Sequence, residues 1–253
     1  MRRALAALVA IVVVACGGAA TPGTTSGTVS GSVTVFAASS LTEALTKASD
    51  ELKARYPATS YVLNFGSSST LATQITNGAP ADVFASADEI NMQRVVDAKL
   101  SDGTPSIFAT NRLAIAVSPG NPKNVTSLAD LARAGLVVVL AAPTVPAGRY
   151  TLDSLAKAGV KLTPASQELD VRAVLNKVAL GEADAGVVYV TDVRSAGSRV
   201  SGVEIPEQQQ VVARYPIAVV TGTRNYTLAR AFVDYLVSDE GQRLLARFGF
   251  SRP

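Results

Sequence analysis

Val35-Phe36-Ala37-Ala38-Ser39-Ser40-Leu41 joins two different periodicities. The short apolar run before it, Val33-Thr34-Val35-Phe36, predicts a strand. After it, Leu41, Ala44, Leu45, Ala48 and Leu52 recur at helical spacing. Between the two lie small hydroxyl residues where an N-cap belongs. A strand that feeds a helix through a small, open, polar turn suits an anion. The first amides of a helix have no intrahelical partner, and the dipole there favours negative charge.

The arrangement recurs along the chain. Tyr61-Val62-Leu63-Asn64-Phe65 alternates as a strand, Gly66-Ser67-Ser68-Ser69-Thr70 follows, and Leu71-Ala72-Thr73-Gln74-Ile75 begins a helix. Asp82-Val83-Phe84-Ala85 predicts a short buried strand, with Ser86 and Glu89 at capping-box spacing before the next helix. Leu113-Ala114-Ile115-Ala116-Val117 is a further strand. The continuous apolar run 136–142 has the character of a parallel strand buried on both faces. Val145-Pro146-Ala147-Gly148 then precedes a helix, with proline suited to its first position. Asp170 precedes a helix carried by Val171, Val174, Leu175 and Val178. Gly186-Val187-Val188-Tyr189 and 215–220 are strands, and the C-terminus predicts two amphipathic helices with a fresh start near Ser238.

Strands and helices alternate throughout, which indicates α/β architecture with largely parallel sheets. The strands at 113–117 and 217–220 bracket a middle block with strands and helices of its own. The expected organisation is therefore two lobes. Lobe I comprises 33–114 plus 219–253 and lobe II comprises 115–218, with the two crossing strands as the hinge.

A chain of 253 residues is long enough for two lobes and a substantial core. Its 23 Lys+Arg against 20 Asp+Glu give a net charge of +3, and the notable basic cluster, Met1-Arg2-Arg3, lies in a leader. No basic stripe with interleaved aromatics is present, which argues against nucleic acid as a partner. Histidine is absent and Cys16 is the sole cysteine. That removes His/Cys metal sites, Cys–His and Ser–His–Asp catalysis and any intrachain disulfide. Carboxylate metal sites and acid–base pairs stay open on composition alone.

Residues 1–16 have a charged start and an apolar stretch too short to span a bilayer as a helix. Their end, Val13-Val14-Ala15-Cys16, resembles the bacterial lipobox, which implies cleavage before Cys16 and a lipid on its sulfur. The other reading is an ordinary signal peptide with an incidental cysteine. Residues 17–32, mostly Gly, Ala, Thr and Ser, predict a flexible tether. The expectation is a folded body anchored outside the cytoplasmic membrane.

One serine-rich turn before a helix is weak testimony, since most are caps. Four such helix starts, at Ser39-Ser40, Ser67-Ser68, Val145-Pro146-Ala147-Gly148 and Asp170-Val171, say more. Two come from each expected lobe. Turns at the carboxyl ends of parallel strands point one way, and ligands sit there. Two lobes facing each other would converge several helix N-termini on one cleft, rich in amide and hydroxyl donors and suited to a small oxyanion.

These residues carry a resemblance. Val35-Phe36-Ala37-Ala38-Ser39-Ser40-Leu41, Phe65-Gly66-Ser67-Ser68-Ser69-Thr70-Leu71-Ala72, Gly78-Ala79-Pro80-Ala81-Asp82-Val83-Phe84-Ala85-Ser86-Ala87-Asp88, Val145-Pro146-Ala147-Gly148, Asp170-Val171-Arg172 and Gly186-Val187-Val188-Tyr189 occur in the order and rough spacing of the periplasmic molybdate-binding proteins. The chain resembles these solute receptors of molybdate ABC transporters from 33 to 253. The resemblance implies a two-lobed type II periplasmic binding-protein fold, each lobe a mostly parallel sheet flanked by helices. It implies that Ser40 and Ser68 give hydroxyls, Ala147 and Val171 backbone amides, and Tyr189 its phenol to a tetrahedral dianion. Ser39 stands where many relatives have alanine, which adds a second hydroxyl and leaves the choice between Ser39 and Ser40 open.

The function implied is an extracytoplasmic receptor that binds molybdate, and tungstate with it, and delivers it to a membrane permease. The expected protein is a monomer that needs no cofactor and holds molybdenum only as the oxyanion, with no direct metal ligands. Three other readings stand beside it: a receptor for sulfate or another tetrahedral oxyanion, a surface sensor without cargo, and a small hydrolase using Asp82 or Asp170. For those two acids the plainer roles are a structural acid at a strand start and a helix cap. Arg149 and Arg172 flank binding turns, either as anion-steering charges or as solvated helix residues.

Overall fold

The computed structural model describes residues 30–253. The leader, Cys16 and the tether up to residue 29 lie outside the described residues. The first strand already begins at Gly31, inside the stretch 17–32 expected as tether. In chain order, β1 (Gly31–Ala38) leads through a 3-10 turn, Ser39–Leu41, into α1 (Thr42–Arg55). Then follow β2 (Thr59–Gly66), α2 (Ser68–Thr76), β3 (Val83–Ala85), α3 (Glu89–Asp97) and β4 (Ser106–Asn111). The middle of the chain forms β5 (Leu113–Val117), β6 (Val138–Ala141), α4 (Pro146–Lys157), β7 (Ser166–Glu168), α5 (Val171–Ala179), β8 (Ala185–Tyr189), α6 (Val190–Ala196) and β9 (Ser201–Glu204). The chain ends with β10 (Ala213–Val219), α7 (Tyr226–Val237) and α8 (Asp239–Arg247). β4 and β7 were not apparent as strands in the sequence; both are sheet-edge strands.

The strands form two five-stranded sheets, ordered β2-β1-β3-β10-β4 and β7-β6-β8-β5-β9. The two orders are the same arrangement written twice. β2, β1 and β3 pair in parallel, as do β7, β6 and β8. β10 is antiparallel to both its neighbours, and so is β5. Each lobe is therefore mostly parallel, with a single reversed strand.

The expected lobe boundaries need correction. β10 sits between β3 and β4, so 213–218 belong to lobe I, and Leu113 and Ala114 pair within the lobe II sheet. The chain crosses at Arg112 and again over 205–212. The reason is geometric. A chain that leaves one sheet at the cleft and continues enters the other sheet from its cleft end. It must then run against the strands that point toward the cleft. β5 and β10 are the two strands that follow a crossing, and they are the two reversed strands. The Gln210 side chain stitches the crossings together: its Oε1 accepts from Leu113 N–H at 3.1 Å and its Nε2 donates to Leu113 O at 2.7 Å.

β1 is sandwiched. Val33, Val35 and Ala37 pack with Leu45, Ala48, Leu52, Phe232 and Leu236 of α1 and α7. Phe36 points the other way, onto Leu71, Ile75, Met92 and Val95 of α2 and α3. This is strand alternation with apolar layers on both faces. In lobe II, Val174, Leu175 and Val178 of α5 join the same core as Val138, Val139, Val187 and Val188.

α4 begins hard against the end of β6. A Cβ on Gly148 would overlap the carbonyl oxygens of Ala141 and Ala142. Glycine is thus required here by close backbone approach, and this approach fixes where the first turn of α4 points. Gly148→Ala should cost about 1–3 kcal/mol through forced displacement of that turn. The loss is read as a lowered thermal midpoint of the purified protein, and an unchanged midpoint would contradict the packing described.

Candidate functional site

Four helix starts and one strand end meet where the lobes face each other. Ser39, Ser40, Ser68, Ala147, Val171 and Tyr189 all line one cavity, with about 200 Å³ of empty space counting what opens to solvent. All six are buried. The six residues that the resemblance implies as ligand donors are thus brought to one place. The lining contains no Asp, Glu, Lys or Arg.

Each helix start leaves particular donors unused. At the 3-10 turn the N-cap position falls on Ala38, which offers no side chain, so Ser39 and Ser40 are not the caps expected. Moving the cap back one residue keeps both serines on the cavity wall. Ser39 O accepts from Thr42 Oγ1 at 2.7 Å. Ser40 Oγ lies 2.9 Å from Tyr215 Oη. At α2 the cap is Ser67, whose Oγ accepts from Thr70 N–H at 3.2 Å. That relieves Ser68 of capping, and its Oγ accepts instead from Ala87 N–H at 2.8 Å. With that oxygen engaged, the Ser68 proton remains to be given away.

In α4, Pro146 occupies the first helical position, so Ala147 carries the first available amide. In α5, Asp170 caps by accepting from Arg172 N–H at 2.7 Å and Ala173 N–H at 3.0 Å. The capping carboxylate thereby satisfies the second and third amides and leaves that of Val171. Tyr189 ends β8 with its phenol buried and without a hydrogen-bond partner among the described residues. Burial raises its pKa well above the usual value, so it stays a donor at any ordinary pH. A buried orphan hydroxyl is costly, and this one faces a donor-lined cavity.

The flanking acids and bases serve structure. Asp82 accepts from Thr34 N–H at 2.7 Å and from the Thr223 hydroxyl. Asp88, not Ser86, caps α3, by accepting from Asn91 N–H at 2.9 Å, while Ser86 Oγ donates to Asp88 O. Arg149 and Arg172 are only partly exposed, and neither lines the cavity. Arg149 of lobe II pairs with Asp88 of lobe I, and Arg172 of lobe II donates to Glu43 of lobe I with Nη1 at 2.8 Å. Both pairs span the cleft. Arg172 Nε also lies 2.8 Å from Asp192 Oδ1, while Asp192 Oδ2 accepts from Tyr189 N–H at 3.0 Å. No group of His, Cys, Asp or Glu among the described residues could hold a metal ion. No helix among them is long and apolar enough to cross a membrane.

The residues that sequence reasoning missed are the ones that hold the site residues: Ala87, Asn111, Thr191 and Tyr215. Tyr215 lies 175 positions from Ser40, and no local pattern connects them.

A family model described as bacterial extracellular solute-binding protein matches residues 33–251. The molybdate-binding protein ModA of Mycobacterium tuberculosis (strain ATCC 25618 / H37Rv) is 47% identical over 219 residues, covering 87% of this chain and 84% of that protein. ModA of Escherichia coli (strain K12) is 37% identical over 232 residues, covering 86% and 88%. The periplasmic molybdate-binding protein of Azotobacter vinelandii matches in structure with a TM-score of 0.79 over 87% of this chain and 99% of that one. At 22% identity the likeness is one of fold.

Two predictions follow from the geometry. Tyr189→Phe removes a hydroxyl that has no partner in the protein. The thermal midpoint without ligand should hold or rise, while affinity for an anion in the cavity, probed with molybdate, falls by about 1–3 kcal/mol. A lowered midpoint with unchanged affinity would mean the phenol is structural. The second concerns Asp192, whose carboxyl burial pushes up to about 6 against the pull of Arg172. The unfolded chain loses this proton near pH 4, before the folded one does. This group therefore makes stability fall as pH rises from about 4 to about 6, and is flat above. Asp192→Asn should remove that slope from a pH series of thermal midpoints, whatever its overall offset.

Proposed function

The chain belongs to the bacterial extracellular solute-binding proteins, and on that premise we propose that it captures molybdate between its lobes and delivers it to the membrane permease of an ABC transporter. Tungstate, of the same shape and charge, is the second ligand. The observation that carries the reading is the chemistry of the lining. Four helix starts and a buried orphan phenol surround a cavity without a charged side chain.

Such a site suits a fully ionised tetrahedral dianion. A hydrogen bond to a charged acceptor is worth about 1.5–3 kcal/mol net. Five to seven, held in place by the fold, support about submicromolar binding after association costs. Monohydrogen phosphate would bring an O–H donor into a wall of donors, with no acceptor to take it. Molybdate and tungstate present only acceptors. The proposed ligand set is Ser40 and Ser68 by hydroxyl, Ala147 and Val171 by amide, and Tyr189 by phenol, with Ser39 adjacent. The protein binds and releases its cargo without catalysis, cofactor or direct metal ligand.

Binding shuts the lobes about the two crossings, and the closed form is what the permease reads. Arg149–Asp88 and Arg172–Glu43 are pairs that such closure would make. The molecule works as a monomer, held at the outer face of the membrane by a lipid on Cys16.

Titration calorimetry of the purified protein decides the ligand. Molybdate and tungstate should bind submicromolar, and hydrogen phosphate should give no heat. Heat from sulfate alone would assign the cleft to a smaller dianion, and no heat from any oxyanion would overturn the reading.

A further inference from the structure

Ser40 is the cavity hydroxyl whose direction is set from farthest away. Its Oγ lies 2.9 Å from Tyr215 Oη, and either oxygen could donate across that distance. The ambiguity is resolved one step back. Asn111, the last residue of β4, has Arg112 N–H donating to its Oδ1 at 2.9 Å. A backbone N–H can only donate, so this contact fixes which end of the amide is oxygen. Asn111 Nδ2 must then face the other side. There it donates to Thr191 Oγ1 at 2.8 Å and to Tyr215 Oη at 3.4 Å. Tyr215 Oη accepts from Asn111, whose Nδ2 cannot accept in return, so of the two groups hydrogen-bonded to Tyr215 Oη only Ser40 Oγ can take the phenol proton. Ser40, having accepted, has its proton left for the cavity.

We infer that Tyr215, through Asn111, is a positioning residue that commits the Ser40 hydroxyl to donate to the bound oxyanion. Asn111, Thr191 and Tyr215 are buried behind the cavity wall. Burial also raises the Tyr215 pKa, which keeps the phenol protonated. Hydrogen bonds aligned in one sense polarise each other, and the series starts at a backbone amide and ends on the anion. Its place in the fold adds a second consequence. Asn111 borders the first crossing, Tyr215 lies on lobe I, and Thr191 lies on lobe II two residues after Tyr189. The Tyr215 ring also packs edge-on against Tyr189, with centroids 5.9 Å apart. The same asparagine thus orients a lobe I donor and holds the lobe II segment that carries another.

The inference rests on the oxyanion reading of the cleft, and its test separates the two. Molybdate titration calorimetry is run on the natural protein, Ser40→Ala, Tyr215→Phe and the double variant, with thermal midpoints taken without ligand. Tyr215→Phe keeps the ring and its packing and removes only the hydroxyl. It should weaken molybdate binding about five- to twentyfold in the natural background and less than about twofold in the Ser40→Ala background. Equal losses in both backgrounds would show a merely structural tyrosine and overturn the inference. So would an unweakened Tyr215→Phe protein. Absence of heat with the natural protein would instead remove the oxyanion reading itself. Should Tyr215→Phe fail to fold, Asn111→Ala carries the same cycle from the other end of the series, with the same non-additivity expected.

Discussion

A helix cannot satisfy its own first amides, and everything in this cleft follows from that constraint. The N-terminal N–H groups of the first turn have no acceptor upstream and carry a partial positive charge. In most helices a capping side chain or water answers them. Here the caps answer some and leave others. Ser67 takes the Thr70 amide and Asp170 takes those of Arg172 and Ala173. Pro146 removes a donor at α4, and Ala38 provides no cap ahead of the 3-10 turn. What is left over points into one cavity between two lobes. The two sheets, built on the same strand order, aim their parallel strands at each other and so aim the leftover donors at one point.

Position alone does not make a hydroxyl a donor, because a serine can give or accept. Contacts behind the cavity decide this. Ala87 N–H occupies the Ser68 oxygen, and on the inference drawn above the Tyr215 hydroxyl, 2.9 Å away, occupies that of Ser40. A lining without carboxylate or carbonyl side chains would gain nothing from a ligand that also donates. On the proposed reading, selectivity against protonated anions would be a matter of proton direction as well as cavity size. This is differential recognition by an unmatched polar group, which discriminates more sharply than a change of volume.

Closure must also be reversible if the cargo is to leave. On the closure proposed above, parting the cross-cleft ion pairs would leave each buried charge a partner in its own lobe, a neutral one for Asp88 and a charged one for Arg172. Asp88 is buried, but Asn91 donates to it within the same lobe through N–H at 2.9 Å and Nδ2 at 3.0 Å. Arg172 loses Glu43 on opening yet keeps Asp192 at 2.8 Å. A buried charge left wholly alone would cost several kcal/mol and lock the lobes together. Of the two, only Arg172–Glu43 is a partly exposed salt bridge and so of modest worth. On the proposed reading, the bound anion would be the main difference between open and closed states.

How much of this was legible in the chain depends on whether the cause is local. Periodicity and cap chemistry act within a turn or two of sequence. They revealed β1, α1, the Ser67–Ser68 turn, the proline start of α4, the Asp170 cap and the α/β alternation. They erred where neighbours far away decide. The cap of the 3-10 turn fell on Ala38 and that of α3 on Asp88, and the edge strands β4 and β7 carry no clear apolar alternation in the sequence. β10 was assigned to the wrong lobe because strand character does not say which sheet a strand joins. The order of motifs determined the family of fold and the set of cavity residues. Only the tertiary structure decided that Arg149 and Arg172 bind the opposite lobe rather than water, and that Tyr215 and Asn111 stand behind Ser40. Those contacts span 61 to 175 positions of chain. Their geometry exists only once two sheets have packed, since a hydrogen bond fixes an angle and a distance that sequence separation does not encode.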